Sequence, residues 1–184
     1  MAPKKAVKKA AKKAAKKSAG AHDPHKAAKD ARRTFEHLGR VQALAKLTSS
    51  EAGSLQSLTA TADGAFRAQK YKESADLLRA AEHLSFATLH ADATEAVAAE
   101  LKQVIKEEFT HLLERADEHA SRHVLPRETK QLFLRLVKDA KASMRRGSLR
   151  AALEYARGAE ALAHVHDLDS KRLTTGPTQK RLQE

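Results

Sequence analysis

Apolar residues recur at three- and four-residue steps along the chain from about residue 24 to residue 169. This is the period of amphipathic α-helices, whereas half-buried strands alternate every second residue. The pattern falls into six segments, so we expect an all-α bundle of about six helices. The apolar faces, in chain order, are Ala31, Phe35, Leu38, Val41, Leu44 and Ala45; Leu55, Leu58, Ala62 and Phe66; Ala75, Leu78, Ala81 and Leu84; Val97, Leu101, Val104, Ile105, Phe109, Leu112 and Ala116; Phe133, Leu136, Val137 and Ala140; and Ala152, Leu153, Ala156, Ala159 and Leu162.

Capping and breaker residues mark the predicted helix starts. Aspartate followed by proline is such a signal, because Asp accepts hydrogen bonds at the N-cap and Pro fits the first helical position. The predicted starts are Asp23-Pro24, Ser49-Ser50-Glu51, about Lys70, Thr94, Pro126 and Gly147-Ser148, and the first helix is predicted to end near Lys46. We therefore expect a helical domain over residues 22–169, flanked by disordered segments 1–21 and 170–184.

The composition favours close helix packing. With five Phe, two Tyr and no Trp, the core must be built from Leu, Val and Ala, which suits helices more than a β-sandwich. Side chains on the apolar sides of their helices should be buried. Those we expect to be buried include Phe109, Leu112, Phe133, Leu136, Leu153 and Leu162.

The chain also resembles itself at a shift of 78 residues. Without gaps, segment 66–84 falls on segment 144–162. With an insertion, Phe35-x-His37-Leu38 also parallels Phe109-x-His111-Leu112. We predict two related three-helix units, 22–92 and 93–169, and chance similarity between alanine-rich helices is the alternative.

Two segments, 69–82 and 147–160, resemble the turn and second helix of a tetratricopeptide repeat. Small residues that would let helices approach closely stand at Ser74, Ala81, Ala152 and Ala159. The copies lie 78 residues apart, instead of the roughly 34 residues of that family. The resemblance therefore implies a bundle of helical hairpins more than a regular peptide-binding solenoid.

The first twenty residues form a low-complexity tail in which lysine pairs repeat every four residues, and no acid occurs before Asp23. Its eight lysines, here called the tail lysines, are Lys4, Lys5, Lys8, Lys9, Lys12, Lys13, Lys16 and Lys17. Free in solution the tail should be mostly coil, because lysines at i and i+4 repel one another, and a polyanion would remove that repulsion.

The tail resembles the Lys/Ala-rich tails of linker histones and of extended HU-type nucleoid proteins. The resemblance implies sequence-independent DNA binding through phosphate contacts. A solubilising tail, or one attracted to anionic lipid, is the alternative.

The tail lysines dominate the charge balance: without them the formal net charge falls from +12 to +4. The chain has no Cys, which excludes disulfides and thiolate metal sites and is compatible with a reducing compartment. No apolar segment of a signal peptide follows the basic N-terminus, and no stretch approaches the ~20 apolar residues of a membrane span. We expect a soluble, cytoplasmic, nucleoid-associated protein.

Ten histidines raise the question of a metal site. His119 and His123 lie one helical turn apart, with Glu108, His111 and Glu114 on neighbouring turns. Such spacing can hold a metal ion, and it equally describes the solvated side of a long helix. Glu108-x-x-His111 resembles a ligand motif of ferritin-like di-iron bundles, but a second Glu-x-x-His is missing. We therefore predict no metal and no cofactor.

Arg157 and His164 fit the loose Arg-x(4–6)-His pattern of HEPN-type ribonucleases, although Gly158 stands where that family has a polar residue. We interpret Arg157 as a surface charge and His164 as a partly packed imidazole. No phosphate-binding loop, nucleophile elbow or paired-carboxylate arrangement is visible. We predict no catalytic residues.

These patterns favour a non-enzymatic protein that binds nucleic acid through the tail lysines, with DNA preferred over RNA. Its helical core would self-associate or bind a protein partner. The alternative is a tetratricopeptide-like scaffold or adaptor whose tail adds solubility. A HEPN-like ribonuclease is a more distant alternative.

Overall fold

The fold is all-α, as the periodicity predicts. The structure, a computed structural model, describes residues 24–45 and 47–174, and side chains are described for 25–45 and 47–165. Within these ranges there are six helices and no strand. The helices are α1 (Pro24–Leu44), α2 (Ser49–Arg67), α3 (Tyr71–Leu89), α4 (Ala99–Arg122), α5 (Arg127–Arg146) and α6 (Leu149–Thr174).

Most predicted boundaries agree with these helices. At the start of α2, the Thr48 hydroxyl accepts a hydrogen bond from the Glu51 amide at 3.3 Å, and the Glu51 carboxylate accepts one from the Thr48 amide at 2.8 Å. This capping box satisfies two amides that have no partner within the helix. At the other end of the chain, α6 continues to Thr174, past the predicted domain end at residue 169.

The prediction that Thr94 caps the fourth helix is wrong, because α4 begins at Ala99. The segment between Thr94 and Ala99 instead contacts a distant part of the chain. The Glu95 amide donates to the Gly147 carbonyl at 3.1 Å, and the Glu95 carboxylate lies 3.3 Å from Arg150. These contacts fasten the segment before α4 to the turn between α5 and α6. Competing tertiary contacts therefore override the local capping signal.

Helices α3 and α6 form the centre of the bundle. They run antiparallel, since His83 of α3 meets Glu154 of α6, while Asp76 meets His164. Helices α1 and α2 pack on α3, and α4 and α5 pack on α6. Each central helix is thus covered by the two helices that precede it in sequence.

The turns that lead into α3 and α6 are built alike. The Lys70 amide donates to the Ala65 carbonyl at 2.9 Å, and 78 residues later the Ser148 amide donates to the Ser143 carbonyl at 3.0 Å. The helices α1 and α4 also correspond, because His37 pairs with Glu82, and Arg115 pairs with Glu160 at the same 78-residue shift. The first helices of the two halves are therefore related without the insertion that the alignment of Phe35 with Phe109 requires.

Five of the six side chains predicted to be buried are so: Phe109, Leu112, Phe133, Leu136 and Leu162. Leu153 is only partly buried and packs against the edge of the core. Four residues assigned to apolar faces are exposed, namely Phe35 (54%), Leu44 (69%), Leu101 (51%) and Val104 (57%). Residues 99–104 in the first turns of α4 are all exposed within the described part of the chain, and Phe35 lies roughly 40° around α1 from buried Ala31.

No helix in the described part of the chain has the combination of length and hydropathy that a bilayer crossing requires.

Candidate functional site

The tail lysines lie outside the described residues, so the predicted nucleic-acid contacts have no geometry in the structure and stay a prediction. The polar residues that the structure does bring together lie along the contact between α3 and α6. Here a cavity of ≈ 440 Å³ lies between residues of the C-terminal half of α3 and the N-terminal half of α6. We call this cavity the α3–α6 groove. Its lining residues are Glu82, His83, Phe86, His90, Arg150, Leu153, Glu154 and Arg157.

A chain of charged contacts links four helices at this groove. His83 Nδ1 donates to the Glu154 carboxylate at 2.7 Å, and Arg157 Nη1 donates to the same carboxylate at 2.8 Å. Arg157 Nη2 donates to Glu108 of α4 at 2.6 Å. On the other side of the groove, Glu82 pairs with His37 of α1. The groove therefore pairs its carboxylates with histidine and arginine side chains, and these contacts tie α1 to α3 and α4 to α6.

The electrostatics of Glu154 reflect these contacts. Burial raises the pKa of the Glu154 carboxyl, but the hydrogen bond and charge of His83 and the charge of Arg157 outweigh burial, so the net pKa lies below its usual range. For Arg157, burial lowers the pKa, but Glu108 and Glu154 outweigh that effect and raise it. Both groups thus stay charged at neutral pH, which suits an internal ion pair more than proton transfer.

Arg157 and His164 are held by different carboxylates. His164 Nδ1 lies 3.1 Å from Asp76, whose other oxygen accepts from Arg79 at 2.6 Å. Arg157 instead binds Glu108 and Glu154. The two residues are seven positions apart on α6, or about 10 Å along the helix axis. Arg157 is therefore held by two carboxylates and His164 by a third.

The histidines considered as metal ligands do not converge with the acids on one point in the described part of the chain. The His119 ring packs edge-to-face on the His164 ring at 5.3 Å, and His111 lies 3.4 Å from Glu114. Glu108, the remaining acid of the motif, binds Arg157. Over the described residues, no group of three or more His, Asp or Glu side chains is placed to hold a metal ion.

Sequence reasoning missed the two acids that organise the centre of the bundle. Asp76 is 3% exposed and pairs with Arg79, and at the 78-residue shift Glu154 pairs with Arg157. The signal was present in the repeat, because an acid followed three positions later by Arg recurs in both halves. Hydropathy alone gave no reason to bury either acid.

Comparison of the chain with protein-family models, with curated proteins and with solved structures found no match.

Proposed function

We propose that the protein is a non-enzymatic nucleic-acid-binding protein, in which the tail lysines hold phosphates of DNA without sequence preference. The helical core would then self-associate or carry a protein partner to the nucleoid. The observation that carries this proposal is the separation of charge, since eight lysines precede the first acid of the chain at Asp23. A segment of this kind neutralises phosphates and releases their counterions.

The contacts in the core support binding over catalysis. Arg157 and His164 come nearest to a catalytic pattern, and both are engaged by carboxylates. In the cavity that Arg157 lines, the Glu154 carboxylate is also bound by His83. An arginine bound by two acids is a poor phosphate ligand, because the phosphate would have to displace both.

A mobility-shift assay on random-sequence duplex DNA tests the proposal. Full-length protein should retard the duplex at low salt, and a full-length variant with all eight tail lysines changed to Gln should lose most of that shift. The uncharged tail keeps its length and helix propensity, since Lys and Gln are similar formers. Equal binding by the two proteins would show that the tail is not the anchor.

One observation favours the adaptor alternative. Phe35 is 54% exposed beside a mainly apolar cavity of ≈ 240 Å³ between α1 and α2, which Ala62 and Phe66 also line. A protein partner could place an apolar side chain there. The adaptor predicts no tail-dependent shift of DNA, so the same assay separates the two functions.

A further inference from the structure

Helix α5 carries a row of basic side chains on its outer surface. We call this row the α5 basic face, and its members are Arg127, Lys130, Lys138, Lys141 and Arg145, all of them exposed. At about 100° per residue the five fall within an arc of roughly 80°, and they extend for about 27 Å along the axis. Leu134, 55% exposed, stands in the middle of the row.

The opposite side of α5 fixes the orientation of this face. Phe133, Leu136, Ala140 and Ser143 are buried, and they lie roughly 150° around the helix from the basic face. Packing of α5 on α6 therefore directs the five cations to solvent together.

Neighbouring acids do not neutralise the row. Helix α5 has two acids, Glu128 and Asp139, which lie about 120° and about 140° around the helix from the centre of the face. Asp139 pairs at 3.9 Å with Arg135, which is outside the face. Across the described residues, no ion pair involves any of the five cations of the α5 basic face.

The other half of the chain shows that the fold does not require these charges. Helix α2 occupies the corresponding place on α3, and the residues 78 positions before the five cations are Ser49, Ala52, Ala60, Asp63 and Arg67. Arg67 is paired with Asp63 at 2.7 Å. The two halves thus build the same helix with a neutral outer face in one case and a uniformly basic one in the other.

We infer that the α5 basic face is a second contact surface for the phosphate backbone of duplex DNA and that it orients the core on the duplex. The inference rests on the proposed function. Duplex DNA is a rod that carries about one negative charge per 1.7 Å of its axis, so a straight row of five cations can contact several of its phosphates. An anionic membrane fits less well, because the face has one exposed apolar residue where an interfacial helix has an apolar stripe.

The test measures how the affinity for a random-sequence duplex depends on salt, by fluorescence anisotropy with the full chain. The slope of log K against log[salt] is negative, and each lost phosphate contact should reduce its magnitude by about 0.9. Lys138→Gln/Lys141→Gln should therefore reduce the magnitude by nearly 2. The matched control is Lys102→Gln/Lys106→Gln on the exposed side of α4, which removes the same charge and should leave the slope unchanged. Equal slope changes in the two double variants would overturn the inference, because they would indicate a long-range charge effect.

A second pair of variants separates this inference from the proposed function. With all eight tail lysines changed to Gln, a weak binding with a slope of up to about −4.5 should remain, and further change of all five α5 cations to Gln should abolish it. If the five-fold α5 variant of the otherwise natural chain keeps the wild-type slope and affinity, the inference is wrong while the tail anchor stands. If the tail variant binds as the wild type and the α5 variant does not, the tail anchor fails and the inference stands.

Folding and lipid controls complete the experiment. Gln retains helix propensity at exposed positions, so the α5 variants should keep the wild-type circular dichroism, and variants that lost it would be replaced by single changes. Anionic vesicles serve as the competing ligand. Loss of vesicle binding with unchanged duplex binding in the α5 variant would overturn the assignment to nucleic acid.

Discussion

Gln69 and Gly147 adopt the same left-handed backbone, with φ of +60° and +82°, at positions 78 residues apart. Each closes the turn into a central helix, and their amides donate to the carbonyls of Phe66 at 3.0 Å and Met144 at 3.2 Å. Gly has no Cβ to clash in this region, whereas an ordinary L-residue loses about 1–2 kcal/mol there. The first half of the chain therefore holds a local strain that the second half avoids.

Gln69→Gly should raise the free energy of unfolding by about 1 kcal/mol, less than the full strain because Gly also increases the entropy of the unfolded chain. Gly147→Gln should have the opposite effect, because it places a Cβ in the left-handed region, where this Cβ would lie in contact with Thr94 Cγ2 at 3.4 Å. Urea unfolding followed by circular dichroism measures both. Gln69→Ala is the control, since it keeps the Cβ and should bring no gain. A loss of stability in Gln69→Gly would contradict the strain argument.

The halves also show which parts of the fold could be predicted. Buried Ala81 and Ala159 stand on apolar faces that the helical period identifies. Which helix covers a given face depends on the tertiary arrangement, so the exposure of Phe35 could not be predicted. The left-handed turn was signalled by Gly147, but Gln69 gives no such signal, and only its place in the repeat reveals it.

The candidate site was less predictable than the fold. The charge of the tail lysines is visible in sequence, and their function stays a prediction. The bond between His83 and Glu154 joins residues 71 positions apart, and no local pattern indicates it. The α5 basic face could be read only after the structure had shown which side of α5 is buried.

The packing of α5 predicts opposite results for two adjacent residues. Phe133→Ala should lower the free energy of unfolding by about 3–5 kcal/mol, because the ring is 5% exposed and its removal leaves a cavity. Leu134→Ala should change it by less than about 0.5 kcal/mol, because Leu134 is 55% exposed. Thermal and urea unfolding measure the difference. A loss below about 1 kcal/mol for Phe133→Ala would mean that the buried face is wrongly placed.

Alkaline stability should depend on Tyr155. Burial, reinforced by the charges of Glu51 and Asp139, raises the pKa of its phenol from 10.0 to about 12. Between these values the unfolded chain loses this proton while the folded chain keeps it. The contribution of Tyr155 to the free energy of unfolding should therefore be fully present below pH 10 and should fall as pH rises toward 12. The contribution is at most about 1.4 kcal/mol per pH unit.

Tyr155→Phe removes this titration and should make the decline in stability over the same interval shallower. Urea unfolding across a pH series measures the slope for both proteins. The difference between the two proteins in free energy of unfolding at neutral pH measures any packing that the substitution itself removes. Identical alkaline slopes would show that Tyr155 ionises as freely in the folded protein as in the unfolded one.

Purified, tag-free protein should contain no stoichiometric transition metal. His119 packs on His164, and His111 lies beside Glu114, an arrangement that supplies no closed set of ligands. Elemental analysis after dialysis measures metal content. A stoichiometric metal that is lost when both His119 and His123 are changed to Ala would contradict this prediction.

The salt dependence of DNA binding tests the tail lysines most directly. Each lysine that neutralises a phosphate releases condensed counterions, so log K should fall with log[salt] by about 0.9 per contact. Eight full contacts from the tail would contribute about −7, and partial engagement about half as much. Pairwise Lys→Gln changes should reduce the slope in steps without altering the preference among sequences, whereas Lys→Arg changes should preserve it, because a phosphate contact requires charge more than a particular side-chain geometry. Deletion of residues 1–20 should remove the tail's dominant share of binding and leave the helical circular dichroism and the melting of the core nearly unchanged, since the sequence of these residues predicts no apolar face. If the truncated core binds duplex DNA as tightly as the full chain, or if the full chain discriminates strongly among duplex sequences, recognition resides in the helices and the tail is not the anchor.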